Sequence, residues 1–363
     1  MKNTIGQNVS VTLFGESHGE GIGAVIDGLA AGIEVDESFI ENQLDLRRPV
    51  GKISTPRVEK DNFKILSGVF EGKTTGTPIC IVIPNDNTKS KDYGEIRFKM
   101  RPSHADFTAN EKYHGFEDYR GGGHFSGRIT AGLVAAGAIA INALKKKGII
   151  IGSHISRLGG IADRDFENFN EDINALNQMQ FAVLDGKKAE EMQDRIMKVR
   201  AEGDSVGGVI ETAVAGLPAG VGEPWFDTVE SMISHAIFAI PAVKGIEFGA
   251  GFSIAEMKGS EANDPFRAVE GKIVTETNRN GGINGGITNG MPVIFRTAIK
   301  PTPTISKEQN TVDIRDNSNT TLMAHGRHDP CIVHRARVVV DSVTAIVLLD
   351  LLSSRFGTDW MVN

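Results

Sequence analysis

Apolar residues along this chain fall into short β-branched runs closed by Gly or Pro, interleaved with longer segments of helical spacing. Runs of Val, Ile, Thr and Phe predict strands near 8–14, 22–29, 78–83, 206–216, 245–254 and 291–299. Helices are predicted at 37–47, 127–146, 187–202, 227–239 and 340–353. The segment from 127 carries Ala, Gly, Ile, Leu and Val on every face. A helix that is apolar all round belongs inside, and its small residues let neighbouring backbones come close. Strands outside buried helices predict an α+β fold: a layered sandwich of antiparallel sheets around long central helices. No linker divides residues 1–363, so one domain is expected, with the polar stretch 160–190 as an excursion from it.

The pattern also repeats. Gly28-Leu29-Ala30-Ala31-Gly32-Ile33 returns as Gly216-Leu217-Pro218-Ala219-Gly220-Val221, each time after a β-branched run and before a helix-like segment. Gly72-Lys73-Thr74-Thr75-Gly76-Thr77-Pro78-Ile79 returns as Gly286-Ile287-Thr288-Asn289-Gly290-Met291-Pro292-Val293, each leading into a strand-like run. Matches in the same order predict one unit used twice, at about 8–83 and 206–299, with a pseudo-twofold relation.

Composition narrows the class. With 363 residues and 40% hydrophobic content the chain can build a substantial core. Lys+Arg of 39 against Asp+Glu of 46 gives a net charge of −7, which argues against general nucleic-acid binding. Cys80 and Cys331 lie far apart without CxxC spacing, so neither a disulfide framework nor a thiolate zinc site is implied. The segment MKNTIGQNVS lacks the basic and apolar regions of a signal peptide. The longest apolar stretch, 129–144, falls short of a membrane span and is bounded by Arg128 and Lys145-Lys146-Lys147. A cytoplasmic enzyme or binding protein is the expectation.

Cations nevertheless cluster locally. Arg47, Arg48, Lys52 and Arg57 surround Pro49 and Pro56, and a guanidinium fork suits phosphate or carboxylate, although a solvated basic loop would read the same way. A second segment, Arg97, Lys99 and Arg101-Pro102-Ser103-His104-Ala105-Asp106, joins cations to a histidine and a carboxylate. Arg120-Gly121-Gly122-Gly123-His124-Phe125-Ser126-Gly127-Arg128 then leads into the buried helix. Ser126 is a suitable N-cap there, and the free N–H groups of a helix start make an anion cradle plausible. Gly15-Glu16-Ser17-His18-Gly19 follows a strand; adjacent residues on a strand point to opposite faces, so a serine-hydrolase reading is weak. Gly19-Glu20-Gly21-Ile22-Gly23-Ala24 fails as a dinucleotide loop, because a strand follows it instead of a helix. His325 to His334 has metal-ligand residue types, but Pro330 disfavours a regular helix and Arg327 would repel a cation, so no metal is assigned.

Taken together, GESHG at 15–19, RRP at 47–49, RPSHAD at 101–106, RGGGHFSGR at 120–128, AVKG at 242–245, NGGINGG at 280–286, KPTPT at 300–304 and RHDPC at 327–331 resemble the motifs of chorismate synthases, in that family's order. The resemblance runs from Thr4 to about Asp350. Departures are His124 in place of Arg, Pro241 in place of Asn, Lys52 near a common Arg, Asp341 in place of Glu, and His334-Arg335-Ala336-Arg337 in place of an apolar pattern.

The resemblance implies a 1,4-trans elimination of phosphate from 5-enolpyruvylshikimate 3-phosphate, with loss of a C6 proton, in the presence of reduced FMN and without net redox change. It implies His104 as acid toward the phosphate and His18 as proton donor to the flavin. Asp329, held by Arg327, would assist C6 proton removal through the flavin, with Ser17 supporting that relay. Arg47, Arg48, Lys52, Arg57, Arg101 and Arg128 would bind substrate or NADP. The flavin would lie against His124, Phe125, Ser126, Pro241, Ala242, Gly285, Lys300, Pro301, Thr302, Pro303, Thr304 and Arg327. A homotetramer supplied with electrons by NADPH or a flavin reductase completes the expectation. Two other classes stay open at this point: a transferase acting on a similar phosphorylated substrate, separable by flavin absorbance, and a non-catalytic module binding anionic ligands or RNA. The net charge and the lack of aromatics beside the Arg-rich loops oppose the latter.

Overall fold

Ile79–Pro84 and Val293–Ile299 alternate buried and half-buried side chains, as strands do when one face lies on a core. The structure, a computed structural model, describes residues 3–49, 51–55, 60–86, 97–323 and 329–362. One sheet contains β1 (Thr4–Ile5), β2 (Ser10–Gly15), β3 (Gly21–Asp27), β4 (Lys64–Ser67) and β5 (Ile79–Pro84), in the order β1-β2-β3-β5-β4. The other contains β6 (Ile150–Leu158), β7 (Ile161–Ala162), β8 (Gly208–Ala215), β9 (Val243–Phe248) and β10 (Val293–Ile299), in the order β7-β6-β8-β10-β9. Both sheets are antiparallel throughout. Helices are α1 (Glu37–Arg47), α2 (Asp106–Tyr113), α3 (Thr130–Lys146), α4 (Phe169–Leu176), α5 (Gly186–Ala201), α6 (Val229–Ile237), α7 (Gly259–Ala262) and α8 (Val333–Phe356).

Helix α3 packs on the first sheet, α8 on the second, and the two pack on each other, giving the expected α+β sandwich. Small residues permit this. A Cβ at Gly137 of α3 would lie 2.3 Å from Ser342 Cβ of α8, and one at Gly132 would lie 2.8 Å from the Gly23 carbonyl of β3. The stretch Gly127–Lys146 is long and apolar enough to cross a membrane by length and composition, but 83% of it is buried inside the protein.

Two successions of elements correspond, the second beginning at Ile150 and so upstream of the expected 206. The succession β2-β3-α1-β4-β5-α3 is matched by β6-β8-α6-β9-β10-α8, and matched strands hold the same places in their sheets. Thr74 and Thr288 clamp the two repeated glycine turns identically. Thr74 Oγ1 accepts from Ile33 N–H at 2.9 Å and donates to the Ala30 carbonyl at 2.6 Å; Thr288 Oγ1 accepts from Val221 N–H at 3.0 Å and donates to the Pro218 carbonyl at 2.7 Å.

Some elements differ from expectation. The strand expected to 254 ends at Phe248, because Gly249 and Gly251 adopt φ of +55° and +59° and turn the chain away. Helix α8 starts at Val333, earlier than the expected 340, because the polar residues before its apolar run are buried too. Two departures from the family pattern are partners there: Arg337 and Asp341 pair one turn apart at 3.2 Å, and Asp341 accepts from Ser153 of β6. A buried guanidinium requires such a counterion. Strand β6 and helices α2 and α4 were not foreseen, since Ser153 and His154 break the apolar run of β6, yet both are fully buried.

His154 donates from Nδ1 to Asp163 at 2.7 Å and from Nε2 to Glu211 at 3.1 Å. Burial disfavours its charge, but the two carboxylates outweigh burial and raise its pKa above the usual 6.5. A raised folded-state pKa contributes stability that is complete below 6.5 and is lost as pH climbs through the folded value. His154→Gln is expected to lose about 3 kcal/mol at pH 6, with the gap narrowing at alkaline pH. Denaturant titrations at several pH values check this; a gap independent of pH contradicts it.

Candidate active site

Helices α3 and α8 begin at one cavity of about 940 Å³. Its apolar wall includes Leu133, Val339, Val343 and Ile346, and its polar wall gathers histidines, arginines and carboxylates from sequence-distant loops.

The glycine loop seats the histidines. Gly121, Gly122 and Gly123 have φ of +60°, +85° and +52°. A Cβ at Gly121 would lie 2.1 Å from His18 Cε1, and one at Gly122 would lie 3.2 Å from His104 Cε1. Bare backbone therefore brings the two imidazoles to one loop. Ser17 and His18 lie in the turn after β2, not on the strand. That corrects the opposite-faces argument, since Ser17 Oγ reaches His18 Nδ1 at 3.1 Å. Ser17 Oγ also lies within hydrogen-bond reach of the Arg120 and Gly121 carbonyls, and when its proton goes to either of them His18 Nδ1 is the donor of the pair.

His104 Nδ1 donates to Asp106 at 2.7 Å, and Arg101 grips the same carboxylate through Nε and Nη2, both at 2.7 Å. Burial opposes the Asp106 charge, but these hydrogen bonds outweigh burial and hold the carboxyl well below its ordinary range. That leaves Nε2 as the His104 ring nitrogen not engaged by Asp106. Arg101 does not line the cavity. Its Nε and Nη2 are engaged by Asp106, and it lines a smaller pocket on the other side of His104.

Arg47 and Arg128 both line the cavity and are both buried. Asp61 bridges them, accepting from Arg47 Nη2 at 2.8 Å and pairing with Arg128 Nη1. Burial raises the Asp61 pKa, but the two guanidiniums outweigh it and hold the carboxyl low. Arg128 Nε also donates to Asn85 at 3.0 Å, whereas Arg47 Nε is buried without a partner among the described residues. Arg48 lines the cavity and pairs with Asp45.

Asp329 also lines the cavity. Thr55 N–H donates to it at 2.7 Å and Arg335 pairs with its other oxygen. Arg327, the expected partner, and Arg57 lie outside the described residues.

His124, Phe125, Ser126, Pro241, Ala242, Lys300, Thr302, Pro303 and Thr304 line the same cavity. Ser126 caps the turn before α3, accepting from Arg128 N–H at 3.3 Å. His124 donates from Nδ1 to the Gly15 carbonyl at 2.7 Å, so its ring anchors the end of β2. Lys300 N–H donates to the Ala242 carbonyl at 2.9 Å, and its ammonium donates to Ser103 O at 2.6 Å. Lys52 and Pro301 are exposed and off the cavity, and Gly285 sits exposed in the turn between Asn284 and Ile287. Nothing in this structure brings those three to the site.

A family model described as chorismate synthase matches residues 9–353. A chorismate synthase of Aeropyrum pernix is 47% identical over 358 residues, covering 98% of this chain and 93% of that protein. One from Dehalococcoides mccartyi is 48% identical over 352 residues, covering 97% and 96%. A crystal structure of chorismate synthase, 30% identical, superposes with a TM-score of 0.77 over 97% of this chain and 94% of that one. The chain belongs to the chorismate synthase family.

Its reaction is the family's 1,4-elimination of phosphate from 5-enolpyruvylshikimate 3-phosphate, giving chorismate for aromatic biosynthesis. Within this chorismate synthase site, sequence reasoning missed Asp61 and Arg335. Asp61 had no motif around it, and its φ of +46° is set by the tertiary loop. Arg335 was noticed only as a departure from an apolar pattern.

Replacing Gly121 with Ala should force His18 aside. Turnover should fall about 100-fold, and stability by about 1–3 kcal/mol for the strained backbone and the clash together. In a His18→Ala background the stability loss should shrink, because the ring is gone. Equal losses in both backgrounds, measured by denaturant titration, would show that the loop and ring are not coupled.

Proposed function

We propose that this cavity holds reduced FMN beside the phosphorylated substrate, and that His104, His18 and Asp329 handle the protons. The carrying observation is the convergence of both histidines on one glycine loop opposite a buried two-arginine cluster. About 940 Å³ is near the upper end for small-ligand sites, with room for a cofactor and a substrate together. The residues suit a flavin chemically. Leu133, Val343 and Ile346 offer an apolar face for a planar ring, and Lys300 adds a cation.

When bound, reduced FMN supplies electron density that is returned by the end of the cycle. The protein's own groups do the rest. The C6–H electron pair becomes the new C6–C1 double bond, the old C1–C2 pair shifts to C2–C3, and the C3–O bond breaks. Arg47, Arg48 and Arg128 stabilise the charge growing on the departing phosphate. His104 Nε2 gives that phosphate a proton, with Asp106 holding the imidazolium in place. Asp329 is the proton acceptor on the C6 side, and His18 exchanges a proton at the flavin edge with support from Ser17. The same reading makes the protein a cytoplasmic homotetramer fed electrons by NADPH or a flavin reductase.

Anaerobic assay with reduced FMN and 5-enolpyruvylshikimate 3-phosphate tests the reading directly. Chorismate should appear only when the flavin is reduced. His104→Ala should keep the fold and lower turnover by roughly 10²–10⁴; native turnover would remove His104 from the mechanism. Ser126→Asp puts a negative charge at the mouth of α3 and should weaken FMN or substrate titrations, and unchanged titrations would contradict the placement.

A further inference from the structure

We infer that Arg335 is a positioning residue for Asp329, a side chain that both aims the proton acceptor and ties it to the backbone of Arg47. The inference rests on the reading of Asp329 as that acceptor.

Arg335 lies in the first turn of α8. A cation there opposes the helix macrodipole, so the placement is unfavourable unless a carboxylate offsets it. Asp329 supplies the offset, pairing with Arg335 Nη1. Both side chains are mostly shielded, at 18% and 13% exposed. The other Asp329 oxygen accepts from Thr55 N–H at 2.7 Å. Among the described residues, Thr55 N–H and Arg335 thus take one carboxylate oxygen each, which fixes how Asp329 stands at the cavity wall.

The opposite edge of the guanidinium completes the case. Arg335 Nε donates to the Arg47 main-chain carbonyl at 2.8 Å. One rigid planar fork therefore spans from the proton acceptor to the backbone that carries the anion-binding Arg47. Its charge is also felt by Arg47, whose pKa is lowered by burial first and by Arg335 among the neighbouring cations. Ser54 is tied to the adjacent His334 of α8 at 2.8 Å, so the segment carrying Thr55 is pinned both to the helix and to Asp329. A lysine could restore the charge beside Asp329 but not the two-ended geometry.

Arg335→Gln, Arg335→Lys, Asp329→Asn and the double variant Arg335→Gln/Asp329→Asn are assayed anaerobically with reduced FMN, using C6-protonated and C6-deuterated substrate. Arg335→Gln should lower kcat by about 10–100-fold, the loss typical of a misplaced group, with KM little changed and a larger isotope effect. Arg335→Lys should recover part of kcat. The double variant should be no slower than Asp329→Asn alone, since both act in one step. An isotope effect unchanged in Arg335→Gln, or a fully additive double variant, overturns the inference while leaving Asp329 in place. Native turnover by Asp329→Asn would instead overturn the reading beneath it. If Arg335→Gln fails to fold, the isotope effect of Arg335→Lys decides: elevated supports the role, native refutes it.

Discussion

The crossing of α3 and α8 at Gly137 and Ser342 is the contact on which the rest of the molecule depends. A Cβ at position 137 would fall 2.3 Å from Ser342 Cβ, so only glycine allows the helices to approach this closely. Each helix carries one sheet on its outer side, and their contact joins the two repeated units through a continuous apolar core. Their N-terminal turns meet at one cavity as a consequence. Two helix starts facing the same space bring free N–H groups and partial positive charge there before any side chain is counted.

Charge at the site is organised by carboxylates set behind the working groups. Asp61 steadies Arg47 and Arg128, Asp106 steadies His104 with Arg101 behind it, and Arg335 reverses the arrangement by placing a cation behind Asp329. Such pairs are useful where net charge must be presented without unpaired burial. They also restrict rotamers, so the groups facing the cavity need little reorganisation on binding. The substrate carries a phosphate and two carboxylates, and a rigid cationic wall suits it better than mobile surface lysines.

Several departures from the family pattern find their physical accounts in this same logic. Arg337 and Asp341 complement each other within one helix turn, and Ser153 completes the Asp341 shell. His124 keeps an anchoring hydrogen bond to the Gly15 carbonyl. Burial and the neighbouring Arg335 push the His334 pKa down to about 3, so it is neutral at ordinary pH and serves Ser54 as a hydrogen-bond partner.

Local chemistry made much of this legible from sequence alone. Period-two runs and an all-apolar segment specified sheets and a buried helix, because burial on one face or on every face dictates those patterns. Repeated glycine turns disclosed the duplication, since a tight turn with φ above zero demands the same residue each time. The motifs disclosed the family and the histidines. Tertiary structure alone decided which groups share work. Asp61 stands 14 residues from Arg47 and 67 from Arg128, and Arg335 stands 288 residues from the Arg47 carbonyl it holds. It was likewise the fold that set Arg101 and His104 on the same Asp106 carboxylate. Sequence patterns record burial and turn geometry along the chain, whereas ion pairing depends on distances that exist only once the helices have crossed.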